Sequence, residues 1–175
     1  MSLAKTKAYP LSDTDIRSLL GDDIKIITYP QLSEMKSIDE AFDNKGRSIM
    51  LIPNQSPTSG HWVAMLNKPS GIEFFDSYGD APEEQKGGMS RSRLESLDIE
   101  NPDLTRLMRA SGKPVYYNTR DYQSERGNVA TCGRHACSRL LYAPYSLDQY
   151  DRIIKQSRMN PDDFVSGLTY SKIKK

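Results

Sequence analysis

Apolar positions along the chain change their spacing twice, from helical near the start to strand-like in the middle and back to helical toward the end. Ser12-Asp13-Thr14-Asp15 has the form of a capping box, so a short helix is expected from there through Leu20, with Gly21 as its stop. Ser33 to Phe42 reads as a second helix. Arg47 to Ile52, ending at Pro53, and His61 to Leu66 are apolar, strand-compatible runs separated by the turn-rich Asn54-Gln55-Ser56-Pro57-Thr58-Ser59-Gly60. After Asn67-Lys68-Pro69-Ser70-Gly71, the run Ile72-Glu73-Phe74-Phe75-Asp76 is a third strand, in a hairpin with the second. Gly79 to Arg93 is polar, contains Pro82, Gly87 and Gly88, and is expected to be a mobile surface loop. Asn101-Pro102-Asp103 opens a helix through Arg109, with proline at the first helical position. Pro114 to Asn118 is a short strand, followed by a polar loop from Thr119 to Thr131.

Ala136, Leu140, Leu141 and Ala143 then recur at helical spacing after Cys132-Gly133, which puts Cys132 in the first turn of a buried helix. Leu147 to Met159 is an amphipathic helix, Pro161 begins a last short one, and Lys172 to Lys175 reads as a frayed, solvated tail. With no internal repeat in 175 residues, one α+β domain is expected: a helical part over 1–45, a core over 46–143 with a small central mixed sheet, and helices over 144–175.

Composition narrows the function classes. Charged residues make up 27% but balance to a net of +1, so no overall field draws the protein to nucleic acid, membrane or acidic substrates. No run approaches the ~20 apolar residues of a membrane span, and Met1 to Lys7 lacks a signal-like apolar stretch. Two cysteines five positions apart, Cys132 and Cys137, are no disulfide framework. The expectation is an intracellular protein, not secreted, with the sequon Asn54-Gln55-Ser56 unused. Arg91, Arg93, Arg106 and Arg109 are interleaved with Glu95, Asp98, Glu100 and Asp103, which reads as a mixed-charge surface rather than a nucleic-acid patch.

A thiol at a helix N-terminus meets exposed amides and the positive end of the macrodipole, which favour the thiolate. That nucleophile needs a base, and the chain offers two histidines, His61 and His135. His135 shares the helix of Cys132 and is tied to its face, whereas His61 begins a strand after a glycine-containing turn and Asp76 ends the adjacent one. A hairpin brings that imidazole and carboxylate side by side, fixing the tautomer and stabilising the protonated ring. Acyl transfer also needs oxyanion donors: the backbone amide of Cys132 and a side-chain amide from the preceding loop, for which Gln123 is the first choice, with Asn118 and Asn128 as fallbacks. Gly133 leaves backbone room for a substrate chain beside the nucleophile.

Three blocks carry a resemblance: Gly60-His61-Trp62-Val63-Ala64-Met65, Phe74-Phe75-Asp76-Ser77-Tyr78-Gly79 and Thr131-Cys132-Gly133-Arg134-His135-Ala136-Cys137. Between His61 and Leu141 the chain resembles the adenovirus maturation protease (adenain) and SUMO-specific protease superfamily, in which histidine, acidic residue, glutamine and cysteine follow in that order. The glutamine there commonly lies six or seven residues before the cysteine. Glu125 and Arg126 occupy those positions here, and Gln123 lies nine before Cys132, carried to the role by a bulge at Gly127-Asn128. The resemblance implies a papain-like, adenain-like cysteine-protease fold that places Trp62 beside a narrow substrate channel and needs no cofactor. It is most like maturation proteases of large DNA viruses and virophages. That implies a protein substrate, capsid or other virion precursors cut after small residues such as glycine, in the virion and host-cell cytoplasm. Activation by a peptide or DNA stays open.

Competing readings accompany these. An isopeptidase for SUMO- or ubiquitin-like modifiers would carry the same site, and an inactive protease-fold binding or capsid component would keep the fold alone. A zinc site from Cys132, His135, Cys137 and His61 is disfavoured because position 137 turns about 140° away from 132 on a helix. Cys137 is expected to be core packing, and Gly87-Gly88 a flexible loop.

Overall fold

A computed structural model of the protein describes residues 2–173 and is organised around a five-stranded mixed sheet. The strands are β1 (Lys25–Thr28), β2 (Arg47–Ser56), β3 (Ser59–Lys68), β4 (Gly71–Phe75) and β5 (Val115–Tyr117), in spatial order β1-β2-β3-β4-β5. β2, β3 and β4 form an antiparallel meander, and β1 and β5 join its two edges in parallel. The helices are α1 (Leu3–Ala8), α2 (Asp13–Leu20), α3 (Arg91–Ser96), α4 (Asp103–Ser111), α5 (Cys132–Leu141), α6 (Leu147–Ser157) and α7 (Pro161–Tyr170). The chain is therefore α+β, with helices covering both faces of a small central sheet.

The two faces explain why the central strands read as apolar runs rather than as alternating ones. Ile49 and Leu51 of β2, Trp62, Ala64 and Leu66 of β3 and Phe75 of β4 share one core with Leu19, Ala136, Cys137, Leu140 and Tyr150. Their neighbours Met50, Ile52, Val63, Met65, Ile72 and Phe74 share the other with Leu104, Leu107 and Met108. α5 is pinned to its face by more than apolar contact: the Arg139 guanidinium donates two hydrogen bonds to the Glu73 carboxylate of β4, at 2.7 and 2.9 Å, and the arginine side chain is wholly buried.

Several expectations are corrected. Ser33 to Phe42 does not form one α-helix. Two 3₁₀ segments, Tyr29–Glu34 and Ile38–Ala41, flank an extended Met35, because Ser37 caps the second segment and Glu40 takes the amides of Lys36 and Ser37. β2 continues past Pro53 to Ser56, with Pro53 opposite Gly60 and the register shifting between Pro53 and Ser56, the place where a sheet tolerates proline. Pro102 is the residue before α4 rather than its first. α1 and β1 were not expected at all.

The segment expected to be a mobile loop is held down. Lys86 is buried; its ammonium donates to the Tyr29 hydroxyl and the Asn101 carbonyl, each at 2.9 Å, and pairs with Glu83 at 2.7 Å. Glu83 sits in the left-handed region at φ 76°, and its carboxylate accepts from the Tyr29 hydroxyl and the Thr105 amide, contacts that offset the backbone strain. Gly87 and Gly88 follow this anchored turn, and α3 begins at Arg91. At the other end, Ile173 packs against the core, so the expected frayed tail does not begin at Lys172; Lys174 and Lys175 lie outside the described residues.

Candidate active site

Cys132 is the first residue of α5. Thr131 occupies the N-cap position, yet its side chain makes no cap bond; the hydroxyl donates instead to Asp162 at 2.6 Å. With no cap from Thr131, the Gly133 amide of the first turn is left to the Cys132 sulfur. Gly133 is buried there for packing: a Cβ at this position would lie 3.1 Å from Leu11 and 3.2 Å from the Trp62 ring. The room that the sequence assigned to a substrate chain is filled by those two side chains. Trp62 is itself in the core, its indole N–H donating to the Leu11 carbonyl at 3.1 Å.

His61 lies near the start of β3, opposite Ile52 of β2. The preceding residue must be glycine, because a Cβ at Gly60 would come within 2.0 Å of the Ile52 carbonyl oxygen. Asp76 directly follows β4. The imidazole Nε2–H donates to Asp76 Oδ1 at 3.0 Å, with His61 5% and Asp76 0% exposed. Nδ1 is thus the ring nitrogen left for Cys132, which is coupled electrostatically to the imidazole. Tyr78 stacks on the ring, centroids 5.2 Å apart, and limits its rotation.

The electrostatics of this trio follow from opposed causes. Burial alone would lower the imidazole pKa, but the hydrogen bonds to Asp76 and Cys132 and their negative charge outweigh it and raise the pKa to about 10. Burial alone would raise the thiol pKa, but the hydrogen bond and positive charge of His61, with the backbone amides of Trp62 and Gly133, bring it below the ordinary value. The two groups titrate as a pair whose favoured form is thiolate with imidazolium. Asp76 is fixed in turn: its Oδ1 accepts the Tyr78 amide at 2.8 Å, and Asn118 clamps its backbone, accepting the Asp76 N–H at 3.0 Å and donating to the Asp76 carbonyl at 2.6 Å. Both ends of the Asn118 amide are consumed, so Asn118 is no free oxyanion donor.

Gln123 is buried with its Oε1 accepting the Ser77 hydroxyl at 2.7 Å, while its Nε2 has no partner among the described residues. Its place is bracketed on both sides. Ser77, next to Asp76, holds the backbone amides of Tyr122 and Gln123, and Asp162 holds the Ser124 amide together with Thr131 and His135. Asn128 is exposed.

His135 is fully buried and donates Nε2–H to Asp162 at 2.9 Å, turned away from the base position. Cys137 is fully buried with its thiol pKa raised by burial. Among the described residues, no three His, Cys, Asp or Glu side chains are grouped to hold a metal ion. Sequence reasoning missed Tyr78, Ser77 as a partner of Gln123, and Asp162. Only Ser77 and Tyr78 left a trace in the sequence, as immediate neighbours of Asp76.

A helix-borne thiol, a buried imidazole coupled to it and a buried carboxylate beyond form a site suited to nucleophilic acyl chemistry. Among known proteins, an uncharacterised protein, V9, of the Sputnik virophage is 27% identical over 167 residues, which span 91% of this chain and 93% of V9. Among solved structures, the C-terminal Ulp1 protease domain in complex with Smt3, the yeast orthologue of SUMO, aligns with a TM-score of 0.41 and 18% identity, over 94% of this chain and 78% of that one. No protein-family profile matches the chain.

Proposed function

We propose that the protein is a cysteine endopeptidase with Cys132 as nucleophile, His61 as acid and base, Asp76 as the carboxylate that orients it and Gln123 as an oxyanion donor. The observation that carries this reading is the buried hydrogen bond between the His61 ring and Asp76, with the partly exposed Cys132 at a helix N-terminus coupled to the same imidazole. The thiolate attacks the peptide carbonyl carbon, and the displaced electron pair settles on oxygen, held by the Cys132 amide and Gln123 Nε2. The His61 imidazolium then gives its proton to the leaving amine as the C–N bond breaks, and a thioester remains. Water attacks the thioester while His61 accepts its proton, and the sulfur leaves again as thiolate. No step requires a metal or an organic cofactor.

The virophage relative, aligned over nearly its whole length, supports a viral setting for this activity. We assign it to the maturation of virions in the host-cell cytoplasm, with capsid or other structural precursors cut after small residues such as glycine. The test is incubation of co-encoded structural proteins with wild type and Cys132→Ala. Defined cleavage products with wild type alone are expected, whereas equal cleavage by the variant would refute the assignment. Labelling by a modifier aldehyde without cleavage of any structural protein would shift the substrate to a SUMO- or ubiquitin-like conjugate while leaving the chemistry in place.

A further inference from the structure

The turn after β4 serves two parts of the site at once. Asp76 faces His61, and the next residue, Ser77, is buried and faces the loop between β5 and α5. Its carbonyl accepts the amides of Tyr122 at 2.7 Å and Gln123 at 3.0 Å, so the loop backbone is fastened to this turn at the residue whose side chain matters. Its hydroxyl donates to Gln123 Oε1 at 2.7 Å. An amide has one acceptor end and one donor end. With Oε1 occupied by Ser77, the end left over is the donor, Nε2, and it has no partner among the described residues.

We propose that Ser77 is a positioning residue that fixes the amide of Gln123 with its N–H end toward the reacting carbonyl. The inference rests on the acyl-transfer reading. It also accounts for the unusual nine-residue spacing between Gln123 and Cys132: the donor is placed by a contact to the strand end beside His61 rather than by distance along the loop. Without the hydroxyl, the amide is free to rotate by 180° and present its oxygen, which repels an oxyanion. A donor bond that forms only in the transition state changes kcat and leaves KM alone.

The experiment compares wild type, Ser77→Ala, Gln123→Ala and the double variant on the p-nitrophenyl ester of N-acetylglycine, an activated acyl probe, with iodoacetamide alkylation of Cys132 in parallel. Gln123→Ala should lose roughly 10²–10³ in kcat, as expected for one oxyanion donor. Ser77→Ala should lose about tenfold with KM unchanged, because misplacement forfeits part of what removal forfeits. The double variant should be no slower than Gln123→Ala, and alkylation should be as fast as in wild type, since sulfur alkylation uses no oxyanion donor. Ser77→Cys, whose thiol donates weakly, should fall between Ser77→Ala and wild type. The proposal is overturned if Ser77→Ala retains wild-type kcat, if it slows Gln123→Ala by a further tenfold, or if it slows alkylation. If Ser77→Ala fails to fold, Ser77→Cys decides alone, and wild-type kcat there overturns it. Absence of wild-type turnover would bring down the acyl-transfer reading and this inference with it, whereas full activity in Gln123→Ala would overturn this inference and leave that reading in place.

Discussion

Replacing Asp76 by asparagine keeps the shape of the side chain and removes only its charge. The wild-type carboxylate accepts His61 Nε2–H at 3.0 Å and the Tyr78 amide at 2.8 Å through Oδ1, while Oδ2 is buried without a partner among the described residues. An asparagine that keeps its oxygen at Oδ1 places an NH₂ group where Oδ2 was, in a buried position without an acceptor. The flipped asparagine faces His61 with a donor and forces the other tautomer, with the proton on Nδ1 beside the sulfur. Either way a charge-assisted hydrogen bond to the ring is lost, worth about 1.5–3 kcal/mol, or roughly ten- to hundredfold in the population of the thiolate–imidazolium pair. The assay is kcat/KM against pH. In wild type the acid limb follows the depressed thiol pKa and the alkaline limb follows the imidazole near 10, where the general acid is lost. In Asp76→Asn the thiol rises and the imidazole falls, so the bell should narrow from both sides and its maximum should drop. A variant whose limbs stay in place and whose maximum stays within a factor of two would refute the role given to Asp76.

Glu73→Ala leaves the Arg139 guanidinium buried without its carboxylate, and a loss of about 3–5 kcal/mol in urea unfolding is expected, whereas replacing both partners by apolar residues should cost far less. Gly60→Ala drives a methyl into the Ile52 carbonyl, so a loss of about 1–3 kcal/mol or more should accompany a fall in activity as His61 shifts; an unchanged Tm would contradict the geometry. Burial outweighs the Asp162 contact and keeps the His135 pKa below its ordinary 6.5. The unfolded chain therefore takes up a proton under that pH that the folded chain refuses, so stability should fall as pH drops below 6.5. His61, raised in the folded protein, gives the opposite slope above 6.5, where its unfolded form is deprotonated, and that slope fades below 6.5. His135→Gln should flatten the dependence, and an identical slope in the variant would contradict the assignment.

Much of the local structure was legible because it is decided within a few residues. The Ser12 capping box, the apolar runs of β2, β3 and β4, and the helical spacing after Cys132 all appear where the pattern puts them. The helix over 33–42 failed because serine and glutamate side chains near Ser37 took the backbone amides that an α-helix would have used. The mobile loop over 79–93 failed because its anchor, Tyr29, lies more than fifty residues earlier and leaves no mark on the loop's own composition.

The sequence by itself determined that a cysteine would begin a buried helix, that a histidine would lie near the start of one strand and that an aspartate would lie at the end of its neighbour. It did not determine how the polar groups around them pair. Ser77 with Gln123, Asn118 with Asp76, and Asp162 with Thr131, His135 and Ser124 are separated by up to forty-six positions. A serine or aspartate at any of these places suits a turn, a cap or solvent equally well, and only the packing of α5 between the sheet and α7 removes water and leaves each donor its partner within the fold. Periodicity fixes which face a side chain takes; burial, acting across the whole chain, fixes its partner.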